Sequence, residues 1–189
     1  MSLGARGFYA TPGIDYDPAT GRGNPFFYYT QGAAVAEVSI DRFTGDLRVP
    51  RVDLLIDIGR SINRGVDMGQ ITGGFVQGMG WVTTEELCYG PDGELCSYSP
   101  TTYKIPAISD VPAEFRCELF VSDSNVHNIC RSKAVGEPPL MLGVAVWTAA
   151  KHALSSAAPD TLADLRLPAT NEEILRCLEA TCCKSKANQ

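Results

Sequence analysis

Histidine is scarce in this sequence: His127 and His152 are the two among 189 residues, and they lie far apart. That leaves no basis for a metal site built on imidazoles. Cysteine is commoner, at Cys88, Cys96, Cys117, Cys130, Cys177, Cys182 and Cys183, but the count is odd and CxxC spacing is absent. Neither a disulfide framework nor a zinc site fits that pattern. The adjacent Cys182-Cys183 could read as a metal clip, yet incidental reduced thiols are the simpler reading and suit a cytoplasmic protein. No protein-ligated metal is expected. Long apolar runs are also missing: the longest, Leu140 to Ala150, is interrupted by Gly143 and falls short of the ~20 residues a membrane helix needs. No secretory leader is recognisable, and residues 1–3 read as residues added for expression. Runs of five like charges are absent. The balance of 16 Lys+Arg against 22 Asp+Glu gives a net charge of −6, which argues against a nucleic-acid partner.

What is present is an ordinary globular composition, 44% hydrophobic and 20% charged, in a chain long enough for one sizeable core. Residues 4–25 are rich in Gly, Pro, Asp and Thr and read as loop. Val35, Glu37, Val38 and Ile40 suggest a strand, and Val49 to Ile56 a second one. Gly45 between them is placed to take a positive φ, which predicts an antiparallel hairpin. Residues 63–87 change to helical period, with Asn63 as the cap. Gly65, Gly69, Gly73, Gly74, Gly78 and Gly80 are too many for a helix chosen on propensity, since each costs ~1 kcal/mol against Ala. Something must approach that backbone closely, either a packed helix or a cofactor.

A second hairpin is expected over Glu86–Tyr98, closed at Gly90-Pro91-Asp92-Gly93, then a proline-bearing loop over 99–113 and a short strand from Glu114 to Val121. Pro138-Pro139 opens a helix from Leu140 to about Ala153 that is apolar all round and so predicted to be buried on every face. A last amphipathic helix follows Pro168, with Thr170 and Glu173 spaced as a capping box and a disordered tail over 182–189. Hairpins and long helices without strand–helix alternation predict an α+β domain, antiparallel hairpins packed with long helices.

Glu137 is the residue that stands out locally. Pro138 should push it out of the α region, and Gly136 lets the backbone bend. The carboxylate is thus fixed at a helix N-terminus, whose dipole favours the anion while desolvation opposes it. Such a group can serve as a general base. The bland alternative is a capping carboxylate, with Lys133, four residues earlier, neutralising it.

The octamer Lys133-Ala134-Val135-Gly136-Glu137-Pro138-Pro139-Leu140 resembles the catalytic-glutamate signature of the xanthine dehydrogenase and aldehyde oxidase family of molybdenum hydroxylases. Asn24-Pro25-Phe26, Thr44-Gly45-Asp46, Asp57-Ile58-Gly59-Arg60-Ser61-Ile62-Asn63, Asp67-Met68-Gly69-Gln70, Gly74 to Gly80, Thr84 to Leu87 and Thr102 to Pro106 look like family segments in family order. Arg64 stands where the family usually has proline. Phe8-Tyr9 with Thr11-Pro12 looks more like xanthine dehydrogenases than aldehyde oxidases, and Ile105 to Asp110 resembles the bacterial two-subunit enzymes.

The resemblance implies that residues 4–181 are the C-terminal part of a molybdopterin-binding domain. It implies a pterin-held molybdenum (Moco) as cofactor, with FAD and [2Fe-2S] clusters in the rest of the enzyme. Hypoxanthine or xanthine is then hydroxylated toward urate, with NAD as electron acceptor. Glu137 matches the general base, Gln70 a glutamine that hydrogen-bonds the pterin, and Gly136 the close backbone approach at that site; Gln77 reads as structural. The implied partners are the remainder of the molybdenum subunit, an iron–sulfur/FAD subunit and a purine substrate. The upstream half of the family's molybdenum domain is not in this chain, so the fragment alone is expected to be inactive. Two other readings stay open: an aldehyde or N-heterocycle hydroxylase on the same scaffold, and a non-catalytic interaction fragment.

Overall fold

The computed structural model describes residues 3–157 and 162–187. A small antiparallel ribbon, β1 (Asp15–Asp17) with β2 (Arg22–Asn24), lies inside the stretch expected to be loop. Asp17 makes the turn between them, accepting from the Ala19 amide and the Thr20 hydroxyl through its carboxylate.

The main sheet is built on β3 (Gln31–Ile40) and β4 (Leu47–Asp57). They pair antiparallel, as the alternation predicts, with an irregularity between Glu37 and Ser39. Gly45 takes φ +71° in the connecting turn, and a Cβ there would lie 2.3 Å from the Asn171 carbonyl oxygen. Its lack of a side chain therefore serves both the turn and the helix packed on it.

After β4 comes α1 (Arg64–Thr83), capped by Asn63, whose side-chain oxygen accepts from the Gly65 and Val66 amides. The chain then returns to β5 (Glu114–Leu119), which pairs with β4 in parallel, from Arg51 opposite Glu114 to Ile56 opposite Leu119. The sheet is thus mixed rather than purely antiparallel, and β4–α1–β5 is one strand–helix–strand crossover. Parallel neighbours need such a long connection. The expected second hairpin at Glu86–Tyr98 is reduced to a bridge between Tyr89 and Leu95 with backbone bonds on either side.

Alternate residues of β4, Val52, Leu54 and Ile56, continue through Ile58 to face Ile71, Phe75, Met79 and Val82 of α1 across one buried layer. Each such side chain contributes about 1.5–3 kcal/mol relative to exposure. Phe75 meets Phe115 of β5 edge-on, with ring centroids 5.4 Å apart.

The expected single helix after Pro138 is two pieces, α2 (Pro138–Leu142) and α3 (Val144–Ala157). The break falls at Gly143, where a Cβ would lie 2.4 Å from the Gly78 carbonyl carbon. Nor is this segment buried all round: Val146, Ala150 and Leu154 are buried, while Met141 is 60% exposed. One stripe of α3 faces the core, with β3 beside it.

The last helix, α4 (Asn171–Ala187), closes a second cluster made by Ala150, Leu154, Leu165, Ile174 and Cys177. Only half of the predicted capping box forms. The Glu173 amide donates to Thr170 Oγ1, but the Glu173 carboxylate accepts from the Arg166 amide and from Arg176 instead of turning back to the cap.

Candidate functional site

Three segments meet around Glu137: the exposed face of α1, the turn leading into α2, and the aromatic run before β3. The turn is held from below. Asp57, at the end of β4, accepts from the Gly59 amide at 2.8 Å through one carboxylate oxygen. Through the other it accepts from Lys133 Nζ at 2.6 Å. Side-chain exposures of 5% for Lys133 and 9% for Asp57 place this ion pair in the interior. The Lys133 amide donates to the Ile58 carbonyl at 2.8 Å. Thr30 Oγ1 donates to the Ala134 carbonyl at 2.9 Å from the other side.

Lys133 is therefore committed to Asp57 and does not neutralise Glu137. The Glu137 side chain is exposed and has neither a hydrogen bond nor an ion pair among the described residues. Its backbone departs from expectation: φ −95°, ψ −39° is helical, not extended. The Glu137 carbonyl accepts from the Leu140 amide at 3.0 Å, and that bond closes a helical turn beginning at Glu137 itself. With α2 only five residues long, little of the helix macrodipole invoked for this carboxylate is available.

Four of the glycines of α1 divide between two faces, while Gly80 packs against Pro106 and Glu85. A Cβ on Gly74 would meet Pro139 at 3.2 Å, and one on Gly78 would meet the Leu140 carbonyl oxygen at 2.0 Å. That face is where α2 is seated, so helix packing accounts for these two. Gly69 and Gly73, by contrast, have nothing within 4 Å. They lie on the exposed face with Gln70 and Gln77.

Gln70 reaches the turn, since a Cβ on Gly136 would lie 3.6 Å from Gln70 Oε1. Its amide has no hydrogen-bond partner among the described residues. The structure thus brings Gln70, Gly136 and Glu137 together, while Gln77 lies two turns further along α1. A hollow of about 390 Å³ opens against the same turn at Ala134 and Pro138, walled by Phe26, Phe27, Tyr28 and Tyr29; Gln70, Gly136 and Glu137 are not in its lining. Sequence reasoning did not assign this hollow a role.

Two other family-like segments are joined by Tyr103, whose hydroxyl donates to Glu85 Oε2 at 2.6 Å. That bond holds the phenol proton and pushes its pKa above the ordinary value. Among the described residues no group of three or more His, Cys, Asp or Glu side chains could hold a metal ion. The Cys182 and Cys183 side chains lie outside the described residues.

The residues around Glu137 can be tested against a pterin. Its ring edge alternates hydrogen-bond donors and acceptors, and an amide supplies both. Gln70 presents a free one, and the bare backbone at Gly69 and Gly73 leaves a flat group room beside it. The donor set fits such a cofactor along one wall.

Residues 1–112 match the family model described as the molybdopterin cofactor-binding domain. The chain is 47% identical over 181 residues to "Xanthine dehydrogenase/oxidase" of Felis catus, covering 92% of this chain and 14% of that protein. It is 48% identical over 164 residues to "Xanthine dehydrogenase" of Oryza sativa subsp. japonica, covering 83% of this chain and 12% of the relative. Among solved structures, the aldehyde oxidoreductase from Desulfovibrio gigas superposes with a TM-score of 0.73 at 29% identity, over 88% of this chain and 17% of that one. A Cu,Mo-CO dehydrogenase has the same fold, with a TM-score of 0.72 at 23% identity, over 81% of this chain and 19% of that one. The chain therefore spans about one seventh or less of the curated relatives it matches. Those relatives are eukaryotic, and they lend no support to the expected bacterial origin.

Proposed function

The chain belongs to the xanthine dehydrogenase family of molybdenum hydroxylases and is part of its molybdopterin-binding domain; from that premise we propose that it is the C-terminal portion of a purine-hydroxylating enzyme, with Glu137 as the general base. The substrates are hypoxanthine and xanthine, the product is urate, and NAD takes the electrons through FAD and iron–sulfur modules elsewhere in the enzyme. When bound, the pterin-held molybdenum supplies the two-electron redox chemistry.

This chain's residues do the rest. Gln70 hydrogen-bonds the pterin edge, and Gly136 allows close approach beside it. Glu137 takes a proton at the reacting centre and holds it clear of the departing electrons. A carboxylate within hydrogen-bond reach of its proton contributes ~10²–10⁴-fold to rate.

The observation that carries this reading is the separation of charges at the turn. Lys133 is spent on Asp57, which leaves the neighbouring carboxylate unpaired on a fixed backbone.

No described helix is long and apolar enough to cross a membrane, and we place the enzyme in the cytoplasm. The fragment alone presents one wall of the site, so it should neither retain cofactor nor turn over purine. The direct test is Glu137→Gln in the complete enzyme. Turnover of xanthine should fall at least ~10²-fold at unchanged molybdenum content, whereas unchanged turnover would leave a structural or interaction role. Assays with hypoxanthine, xanthine and aldehydes side by side separate the purine reading from an aldehyde or N-heterocycle hydroxylase.

A further inference from the structure

Burying a lysine and an aspartate together is an uncommon arrangement, because both charges must be desolvated. Here the pair joins the end of β4 to the segment that leads into the Glu137 turn. Asp57 closes β4 at the edge of the core. Gly59 follows with φ +68°, and a Cβ there would lie 2.2 Å from the Arg131 carbonyl oxygen. Gly59 and Ser132 form a bridge, and the Arg60 amide donates to the Arg131 carbonyl at 3.3 Å.

Beneath the segment, buried Asn125 donates through Nδ2 to the Ser132 carbonyl at 2.7 Å. Arg60 clamps Asp123 with contacts of 2.7 and 3.0 Å, and Arg131 adds a third at 3.3 Å. All of these bonds stop at Ser132. Beyond it the Lys133 amide and ammonium tie the segment to the end of β4 before Glu137, the first to Ile58 just past the strand and the second to Asp57, its last residue.

We propose that Lys133 is a positioning residue: its ammonium, locked on Asp57, sets the height and direction of the stalk that carries Glu137. The same bond keeps the Lys133 ammonium on Asp57 and away from the Glu137 carboxylate. This inference rests on the reading of Glu137 as the base. It adds that the base is poised by an ion pair buried on the far side of the turn.

The experiment uses the complete molybdenum enzyme. Lys133→Met strands a buried carboxylate and risks misfolding, so the decisive variant is Asp57→Asn/Lys133→Met. It removes both charges, and the asparagine oxygen can still accept from the Gly59 amide. Three quantities are read: molybdenum content, kcat and KM per bound molybdenum, and hydrogen exchange at the Lys133 and Leu140 amides.

The expected result is molybdenum content and KM within about twofold of wild type with kcat per molybdenum down by ~10–100-fold, as ångström-scale misplacement of a catalytic group produces. Exchange at both amides should quicken at least about tenfold. Lys133→Arg, which keeps a cation opposite Asp57, should recover part of kcat. Wild-type kcat per molybdenum in the double variant would overturn the proposal. So would a loss of activity that merely follows lost molybdenum. If Glu137→Gln leaves turnover unchanged, the base assignment fails, and the exchange rates still decide whether Lys133 fixes the turn.

Discussion

Gly78→Ala puts one methyl group into the contact that seats α2 on α1. Its Cβ would stand 2.0 Å from the Leu140 carbonyl oxygen, 2.9 Å from the carbonyl carbon and 3.2 Å from Cα. All three are backbone atoms, so no rotamer change relieves the clash. Ordinary contact starts near 3.4 Å, so α2 must retreat by about 1.4 Å. Gly143, one turn further along, approaches the Gly78–Met79 backbone just as closely, so the whole α2 segment must move with Leu140.

Helix propensity favours the alanine by ~1 kcal/mol, and overpacking opposes it by ~1–3 kcal/mol. Because the clash is with backbone rather than a side chain, the upper end applies, leaving a net loss of about 1–2 kcal/mol. In a chain of this size each kcal/mol moves Tm by ~2–4 °C, so thermal melts of the chain should show a fall of about 2–8 °C. Gly73→Ala is the internal control. Nothing lies within 4 Å of its Cβ, so propensity acts alone and the chain should gain ~0.5–1 kcal/mol. A Gly78→Ala chain melting at or above wild type would refute the seating of α2 on the α1 backbone, and with it the fixed turn at Glu137.

Three further outcomes follow from the same contacts. Asp57→Ala leaves the Lys133 ammonium buried without its partner and should cost ~3–5 kcal/mol in urea unfolding, with a smaller loss for Asp57→Asn/Lys133→Met. Gly59→Ala meets both a positive φ and the Arg131 carbonyl, and should lower the urea midpoint by the equivalent of at least ~1 kcal/mol. Glu173 is held below the usual carboxylate range, first by its hydrogen bonds from Arg176 and then by the Arg166 amide. Its contribution is therefore present above the unfolded value of ~4.3 and lost as pH falls through the lower folded value. The Tm difference between wild type and Glu173→Gln should be steady at pH 6–7 and close below about pH 4.

Local chemistry made much of this fold readable in advance. The β3–β4 hairpin follows from period-two alternation around Gly45. The start of α1 follows from Asn63 and a change of period. The crowding of glycines in α1 told correctly of a close approach, but not that two glycines face α2 while two face open space. Pairings between distant segments were not readable. The parallel addition of β5, the break at Gly143 and the bond between Asp57 and Lys133 depend on where the chain returns after a long crossover, and no local spacing encodes that. The backbone of Glu137 was misread: the rule for residues before proline gave way to the Leu140 amide closing a helical turn. The aromatic hollow beside it was missed because Phe26 to Tyr29 read as strand-forming residues rather than as a wall.

The central claim is that the Glu137 carboxylate stands unpaired, facing the reacting centre, once the rest of the molybdenum domain is in place. A crystal structure of the complete enzyme with a slowly turning purine answers it directly. The account predicts a Glu137 oxygen ~2.6–3.2 Å from the atom that loses its proton, with Lys133 still on Asp57. Glu137 paired to a basic side chain away from the pterin, or turned to bulk water, would contradict it.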